Sequence, residues 1–206
     1  MTVAAAVLGY LLGAVPSGLV VVRVLRGIDI RAYGSGNIGA TNVFRLAGLP
    51  TAALVLLLDV LKGAIPVLLA RAWGLSPVGV VLAGLAAVAG HDWSPFLRFR
   101  GGKGVATSLG ALLVLSPAAA GAAVAVWIIV VAVTRYSSLG SLLGAASAPV
   151  VLWLGGEPRE HMGFALAAVA LIVYAHRGNI GRLLQGTESR VTDRREEATG
   201  PPRPRA

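Results

Sequence analysis

Residues 105–133, VATSLGALLVLSPAAAGAAVAVWIIVVAV, are 29 consecutive positions without a charge, and whether they form one helix or two decides how the whole chain is threaded. One straight helix of that length would run ~43 Å at 1.5 Å per residue, well beyond a ~30 Å hydrocarbon core. Pro117, directly after Ser116, lacks a backbone donor and crowds the preceding turn, so the stretch is expected to break there into two shorter helices. The basic residues agree. With the break, Arg23, Arg26, Arg31, Arg45, Arg98, Arg100, Lys103, Arg135, Arg177 and Arg182 fall on one side of a membrane, and only Arg71 and Arg159 on the other. A single span would strand Arg135 on the wrong side and reverse everything after it. The crowded side is therefore expected to be cytoplasmic and the N-terminus outside.

Composition points the same way. Of 206 residues 56% are apolar and 13% charged, with a mean hydropathy of +0.77, more apolar surface than a soluble fold of this size can cover. The net charge of +9 would suit nucleic acid, but the basic residues are scattered between apolar blocks and form no stripe, so no nucleic-acid partner is expected. Their first meaning is orientation and contact with anionic membrane lipids. The absence of cysteine excludes disulfides, thiolate metal sites and a cysteine nucleophile.

The expected fold class is all-α: a polytopic integral membrane protein of about seven transmembrane helices with cytoplasmic glycine-rich loops. The first span covers Val3 to Val22, closed by Arg23 and Arg26, the reverse of a signal peptide. A polar, glycine-rich loop follows at 27–48, then spans at Pro50–Leu69 and at Val78–Gly90, the latter running on toward Leu97. The divided 105–133 stretch supplies two more, and Leu139–Leu154 and Phe164–Ala175 complete the set. Residues 1–188 read as one membrane-embedded domain. Residues 189–206 hold Pro, Gly and mixed charge with no apolar period, and are expected to form a disordered cytoplasmic tail. The tetrapeptide GNIG occurs at 36–39 and 178–181, and in a glycine-rich chain this reads as coincidence.

Three polar segments share the basic side. In GSGNIGATNVFR at 34–45, Gly34, Gly36 and Gly39 let the backbone approach a ligand, and Ser35 or Asn37 could cap a following helix. On that helix Thr41 and Arg45 stand four apart, with Asn42 three before Arg45, an arrangement suited to phosphate; the alternative is a flexible loop with an ordinary cap. In RGGKG at 100–104, Lys103 follows Gly101 and Gly102. The Walker spacing fails, because Gly104 stands where Ser or Thr would hold magnesium and Leu97 replaces the first glycine, so nucleotide hydrolysis is not expected. A lysine beside open amides remains, or else a basic turn that anchors the cytoplasmic face. In YAHRGNIGRLLQGTE at 174–188, His176 marks the polar boundary, three residues before Asn179 and six before Arg182, either as an interfacial side chain or as a ligand or proton carrier.

Asp59 and Lys62 lie near the middle of the second span, three apart, and read as an ion pair that neutralises itself. His91 and Asp92 precede Trp93 at an interface. No histidine has an acidic residue five positions on, so the His-x4-Asp arrangement of the common glycerolipid acyltransferases is absent. Three histidines without clustered carboxylates make a metal site improbable, and no cofactor is expected.

These segments together resemble the bacterial acyl-phosphate:glycerol-3-phosphate acyltransferases, the PlsY family. The resemblance rests on GSGNIGATNVFR at 34–45, DVLKG at 59–63, GHDWSPFLRFRGGKGVAT at 90–107 and HRGNIGRLLQGTE at 176–188. It implies an inner-membrane enzyme whose cytoplasmic site joins a fatty acyl group from acyl phosphate to the 1-hydroxyl of sn-glycerol 3-phosphate, giving lysophosphatidic acid and phosphate. A soluble phosphate acyltransferase would supply the donor. By that resemblance Ser35, Arg45, Lys103, His176 and Asn179 serve glycerol phosphate, while Gly39, Thr41 and Asn42 serve the acyl phosphate. Gly34, Gly36, Asn37, Gly101, Gly102 and Gly104 shape the binding loops, and Asp59, Lys62, His91, Arg182 and Glu188 support them. His176 or the substrate's own phosphate would take the hydroxyl proton. The rival reading is a membrane transporter of an organic phosphate; it would need polar groups reachable from both sides, and the loops near 71–77 and 155–161 carry none of the glycine-rich motifs.

Overall fold

The computed structural model describes residues 1–193. Helices are α1 (Thr2–Ala14), α2 (Ser17–Arg26), α3 (Ala40–Ala72), α4 (Pro77–Asp92), α5 (Val105–Leu115), α6 (Pro117–Thr134), α7 (Ser137–Leu154), α8 (Arg159–Ala175) and α9 (Arg177–Leu184), with 3-10 turns at Ile30–Ala32 and Pro95–Leu97. No strand occurs among the described residues. Among the described residues five segments are long and apolar enough to cross a membrane, counting Thr2–Arg26 as one, and the pair α8–α9, bent by 62°, makes a sixth. The all-α polytopic fold stands as expected.

The 105–133 stretch does divide at Ser116, whose side chain accepts from Ala119 N and caps α6. Of the seven expected crossings, the fourth is short: α5 has 11 residues, only ~16 Å of helix. Its packing explains how so short a helix serves. Gly63 of α3 lies flush on the Thr107 carbonyl and Gly110 of α5 on that of Val60, a contact between two helices running the same way that is too close for any Cβ. Gly63 is nine residues from the far end of α3 at Ala72, ~13 Å along the axis. The turn before α5 thus begins well inside the body, and α5 reaches only the far end. There Ser116 Oγ donates to Glu157 Oε1 at 3.0 Å.

Irregular backbone at such depth must be paired within the protein. The first span differs from the expected continuous helix for the same reason: it breaks at Val15–Pro16, because proline cannot donate. The freed carbonyls are taken by neighbours. Ser94 Oγ donates to Ala14 O at 2.6 Å and Lys62 Nζ to Val15 O at 2.9 Å. Lys62 also pairs with Asp59 at 2.9 Å, so the expected ion pair forms and additionally ties α3 to the break. α1 and α4 run parallel, Gly9 against the Ala83 carbonyl and Gly13 against that of Ala87.

Three further expectations are refined. Residues 40–47 of the 27–48 loop are already helical, and α3 bends at Gly48, whose φ of 79° suits only glycine. The α-helix of the third span stops at Asp92, and a 3-10 turn at Pro95–Leu97, not more α-helix, carries the span on to Leu97. The sequence RGNIGRLL is helical as α9, whereas GNIG at 36–39 is not; the two copies differ in conformation, as coincidence predicts. Of the expected tail, 194–206 lie outside the described residues. Residues 189–193 pack back on the body, with Val191 N donating to Arg135 O at 2.8 Å.

Candidate active site

At the basic end of the bundle the segment 33–39 is folded around one side chain. Asn42, on the first turn of α3 and 3% exposed, accepts from Ser35 N at 3.1 Å and donates to Tyr33 O at 3.2 Å and Asn37 O at 2.8 Å. Gly34 and Gly36 take φ of 58° and 71° to wrap around it. Asn37 Oδ1 accepts from Gly39 N at 2.8 Å, one residue before the helix, and the capping position itself is Gly39 without a side-chain cap. The cap expected from Ser35 or Asn37 is therefore a turn lock placed just upstream. The first amides of α3 keep the helix-start polarity that suits an anion.

The 98–104 turn is organised differently. Gly101 N donates to Asp92 O at 2.9 Å and Gly102 N to His91 O at 3.0 Å, so the open amides expected beside Lys103 are already bonded to the end of α4. What the turn presents is the lysine. Lys103 Nζ donates to Asn179 Oδ1 at 2.5 Å, Asn179 Nδ2 to Glu188 Oε1 at 2.6 Å, and Arg182 Nε to Glu188 Oε2 at 2.8 Å. Burial pushes the Lys103 ammonium down to about 8; Glu188 pulls it up, and Arg182 and Arg45 push it further down. Burial raises the Glu188 carboxyl, but the bonds from Asn179 and Arg182 outweigh that and hold it below its usual range.

His176 caps the corner between α8 and α9 and is 3% exposed. Its Nδ1 lies 2.8 Å from Ile172 O. A carbonyl only accepts, so Nδ1 carries the proton and Nε2 of the neutral ring is left as an acceptor. Arg45 reaches Ser189 O at 3.0 Å, and Thr41 Oγ1 meets Ser137 Oγ at 3.0 Å.

All three polar segments line one cavity of about 1200 Å³. Ser35, Thr41, Arg45, Lys103, His176 and Asn179 surround its polar end, with Glu188 and Arg182 alongside. Its other walls are apolar and come from α3, α5, α6, α7 and α8, including Leu56, Leu112, Trp127, Ala148 and Phe164. Asp59 and His91 reach the same cavity from below. Sequence reading overlooked Ser137, which meets Thr41, and Ser138, both of which line the cavity; paired serines opening a helix beside Arg135 were the available signal. Among the described residues no cluster of three or more His, Cys, Asp or Glu could hold a metal ion.

A family model described as Glycerol-3-phosphate acyltransferase matches residues 3–186. The chain belongs to that family. Glycerol-3-phosphate acyltransferase of Desulforudis audaxviator is 51% identical over 188 residues, covering 91% of this chain and 94% of that protein. The Myxococcus xanthus protein of the same name is 52% identical over 191 residues, 92% and 100% of the two chains. Among solved structures, the integral membrane glycerol 3-phosphate acyltransferase PlsY (YgiH) in its glycerol 3-phosphate form superposes with a TM-score of 0.87 at 42% identity, over 92% of this chain and 94% of that one. Its lysophosphatidic acid form gives 0.86. The chain is thus a multi-pass membrane glycerol-3-phosphate acyltransferase of phospholipid synthesis, and the transporter reading gives way to an enzyme.

Proposed function

We propose that this acyltransferase uses an acyl phosphate as donor and acylates the 1-hydroxyl of sn-glycerol 3-phosphate. The observation that carries the reading is the cavity's division into a cationic, hydroxyl-rich end and a long apolar remainder. A donor whose headgroup is a small phosphate and whose tail is a bare acyl chain fits both parts.

Arg45, Lys103, Ser35, His176 and Asn179 hold glycerol 3-phosphate in this reading. Gly39, Thr41 and the amides opening α3 hold the donor's phosphate, with Gly34, Gly36, Gly101, Gly102 and Gly104 shaping the two loops. Asn42 and Asn37 act by fixing the first loop, since their amides are engaged there. The hydroxyl oxygen attacks the acyl carbon, the bond from that carbon to the phosphate oxygen breaks, and phosphate leaves with its electron pair. His176 Nε2, as acceptor, takes the hydroxyl proton or orients it toward the leaving phosphate. An acyl phosphate is a mixed anhydride and needs no covalent enzyme intermediate, so orientation and charge stabilisation suffice.

The split of basic residues supports a cytoplasmic site, an external N-terminus and residence in the bacterial inner membrane, where a soluble phosphate acyltransferase could deliver the donor. The test is an assay of purified protein in detergent with palmitoyl phosphate, palmitoyl-CoA and palmitoyl-carrier protein as alternative donors. Lysophosphatidic acid is expected from palmitoyl phosphate alone; equal turnover with palmitoyl-CoA would refute the proposal.

A further inference from the structure

His91 has no task in the reaction above, yet it is 4% exposed and packs against Gly102, the residue before Lys103. A Cβ placed on Gly102 would find its three nearest atoms in one group, the His91 imidazole, led by Nε2. The same residue's carbonyl accepts from Gly102 N at 3.0 Å, and Asp92 O accepts from Gly101 N at 2.9 Å. Both glycines before Lys103 are therefore laid against residues 91–92. On its opposite edge His91 Nδ1 faces Asp59 Oδ1 at 3.8 Å. Asp59 is held by Lys62, and Lys62 by the Val15 carbonyl at the break in the first span.

The geometry points to His91 as a positioning residue for glycerol-phosphate binding: a rigid ring wedged between the Asp59–Lys62 pair and Gly102 that sets the height and direction of Lys103. The lysine stem is long and flexible, so its ammonium is only as well placed as the backbone that carries it. Its target, Asn179, lies on a different element, α9. A flat ring against a residue without a side chain fixes the approach of that backbone in one direction, and the two carbonyls fix it in the other. Misplacement of a binding group by about 1 Å costs up to ~100-fold in rate. Glycine at 102 is then required for the room the ring takes; its φ lies in the ordinary range, in contrast to Gly104 with φ of 66°.

This inference rests on the reading of Lys103 as a glycerol-phosphate ligand, and the experiment separates the two. Steady-state kinetics with both substrates varied, alongside thermal unfolding, are measured for His91→Asn, Gly102→Ala and the two combined. The shorter amide keeps a polar atom near the Nδ1 position facing Asp59 and removes the edge lying on Gly102. His91→Asn is expected to raise KM for glycerol 3-phosphate about tenfold, with kcat and the donor KM changed less than about twofold. Gly102→Ala alone should raise the same KM, and the combined variant should lie below Gly102→Ala, because the new methyl enters the space the ring has left. Additive losses, or equal effects on both substrates in step with lowered Tm, overturn the inference. Should His91→Asn not fold, His91→Gln carries the test: its flexible end yields to a methyl, so Gly102→Ala should cost less in that background than in the native one, and an equal cost overturns the inference. Lys103→Ala runs in parallel. If it leaves KM for glycerol 3-phosphate unchanged, the reading of Lys103 and this inference fall together; if it raises KM and the His91 variants do not, this inference falls alone.

Discussion

The two glycine-rich loops at the basic end look alike in sequence and are held in opposite ways. GSGNIG at 34–39 is folded from inside, by a single carboxamide, Asn42, that makes three hydrogen bonds to the loop; its glycines at 34 and 36 are needed for positive φ. RGGKG at 100–104 is held from outside, by the carbonyl and ring of His91 and the carbonyl of Asp92, and its Gly101 and Gly102 are needed for space. The first loop makes its hydrogen bonds to its own helix, and Ile38 seats it against Gly18 of α2 and the apolar cluster between α2 and α3. The second takes its shape from α4 and depends on the packing of α3 and α4 beneath it. Damage should therefore spread differently: removing Asn42 should disable both substrates at once, whereas disturbing the second loop should be felt by one.

The largest effect expected is that of Asn42→Ala. It leaves Ser35 N, Tyr33 O and Asn37 O without their partner, at ~1 kcal/mol for each lost bond, or ~3 kcal/mol in all. Spread between loop stability and substrate positioning, this should lower kcat/KM for both substrates by about 100-fold. The combined kinetics and melting curve would show it, and a selective rise in one KM would break the contrast drawn above. Lys103→Ala comes next, raising KM for glycerol 3-phosphate by ~30-fold, as expected for loss of one charge-assisted contact of ~2 kcal/mol, with the donor KM little changed.

The same lysine gives a pH test of smaller size. Its pKa is lowered to about 8 in the site, so below that value it is charged and ready for phosphate. Glycerol phosphate is already a dianion there, its second ionisation lying near about 6. Binding the dianion favours the ammonium and raises its pKa, so affinity is full below about 8 and falls as pH rises through it, approaching ~10-fold for each further unit. KM for glycerol 3-phosphate measured between about pH 7 and 9.5 should follow that curve, and Lys103→Arg, which stays charged, should flatten it. A flat native profile would place the ionisation elsewhere.

How much of this could be read beforehand follows from where the information lies. The division at Ser116–Pro117 was legible because proline acts locally, and so was the fold class, because apolar run length is a property of the chain alone. Pro16 carried the same local signal but stood inside a long apolar run, and only the acceptor carbonyls taken by Ser94 and Lys62 show how a break is tolerated there. α9 was missed because Gly178 and Gly181 weaken helix propensity and its support is tertiary. The cluster of Ser35, Arg45, Lys103, His176 and Asn179 around one cavity was anticipated from their shared side of the membrane and the family resemblance. Whether each amide or hydroxyl points at a ligand or at its own loop was not, since Asn42 and Asn37 are spent on backbone partners that exist only once the loop has folded.

The smallest effect expected tests the seam between the first loop and the rest of the cavity. Thr41 Oγ1 meets Ser137 Oγ at 3.0 Å, joining the start of α3 to the start of α7 at the polar end of the cavity, where the proposed reading seats the donor's phosphate. Thr41→Val keeps the branched shape and removes only the hydroxyl. Because Thr41 is half-buried against an open cavity, water can replace the lost partner for Ser137, so the cost should be near ~1 kcal/mol, about fivefold. That cost should appear in the donor KM, with glycerol-phosphate KM and Tm nearly unchanged. If instead the glycerol-phosphate KM moved, Thr41 would belong with Lys103, and the division of labour between the two loops would have to be redrawn along the helix that joins them.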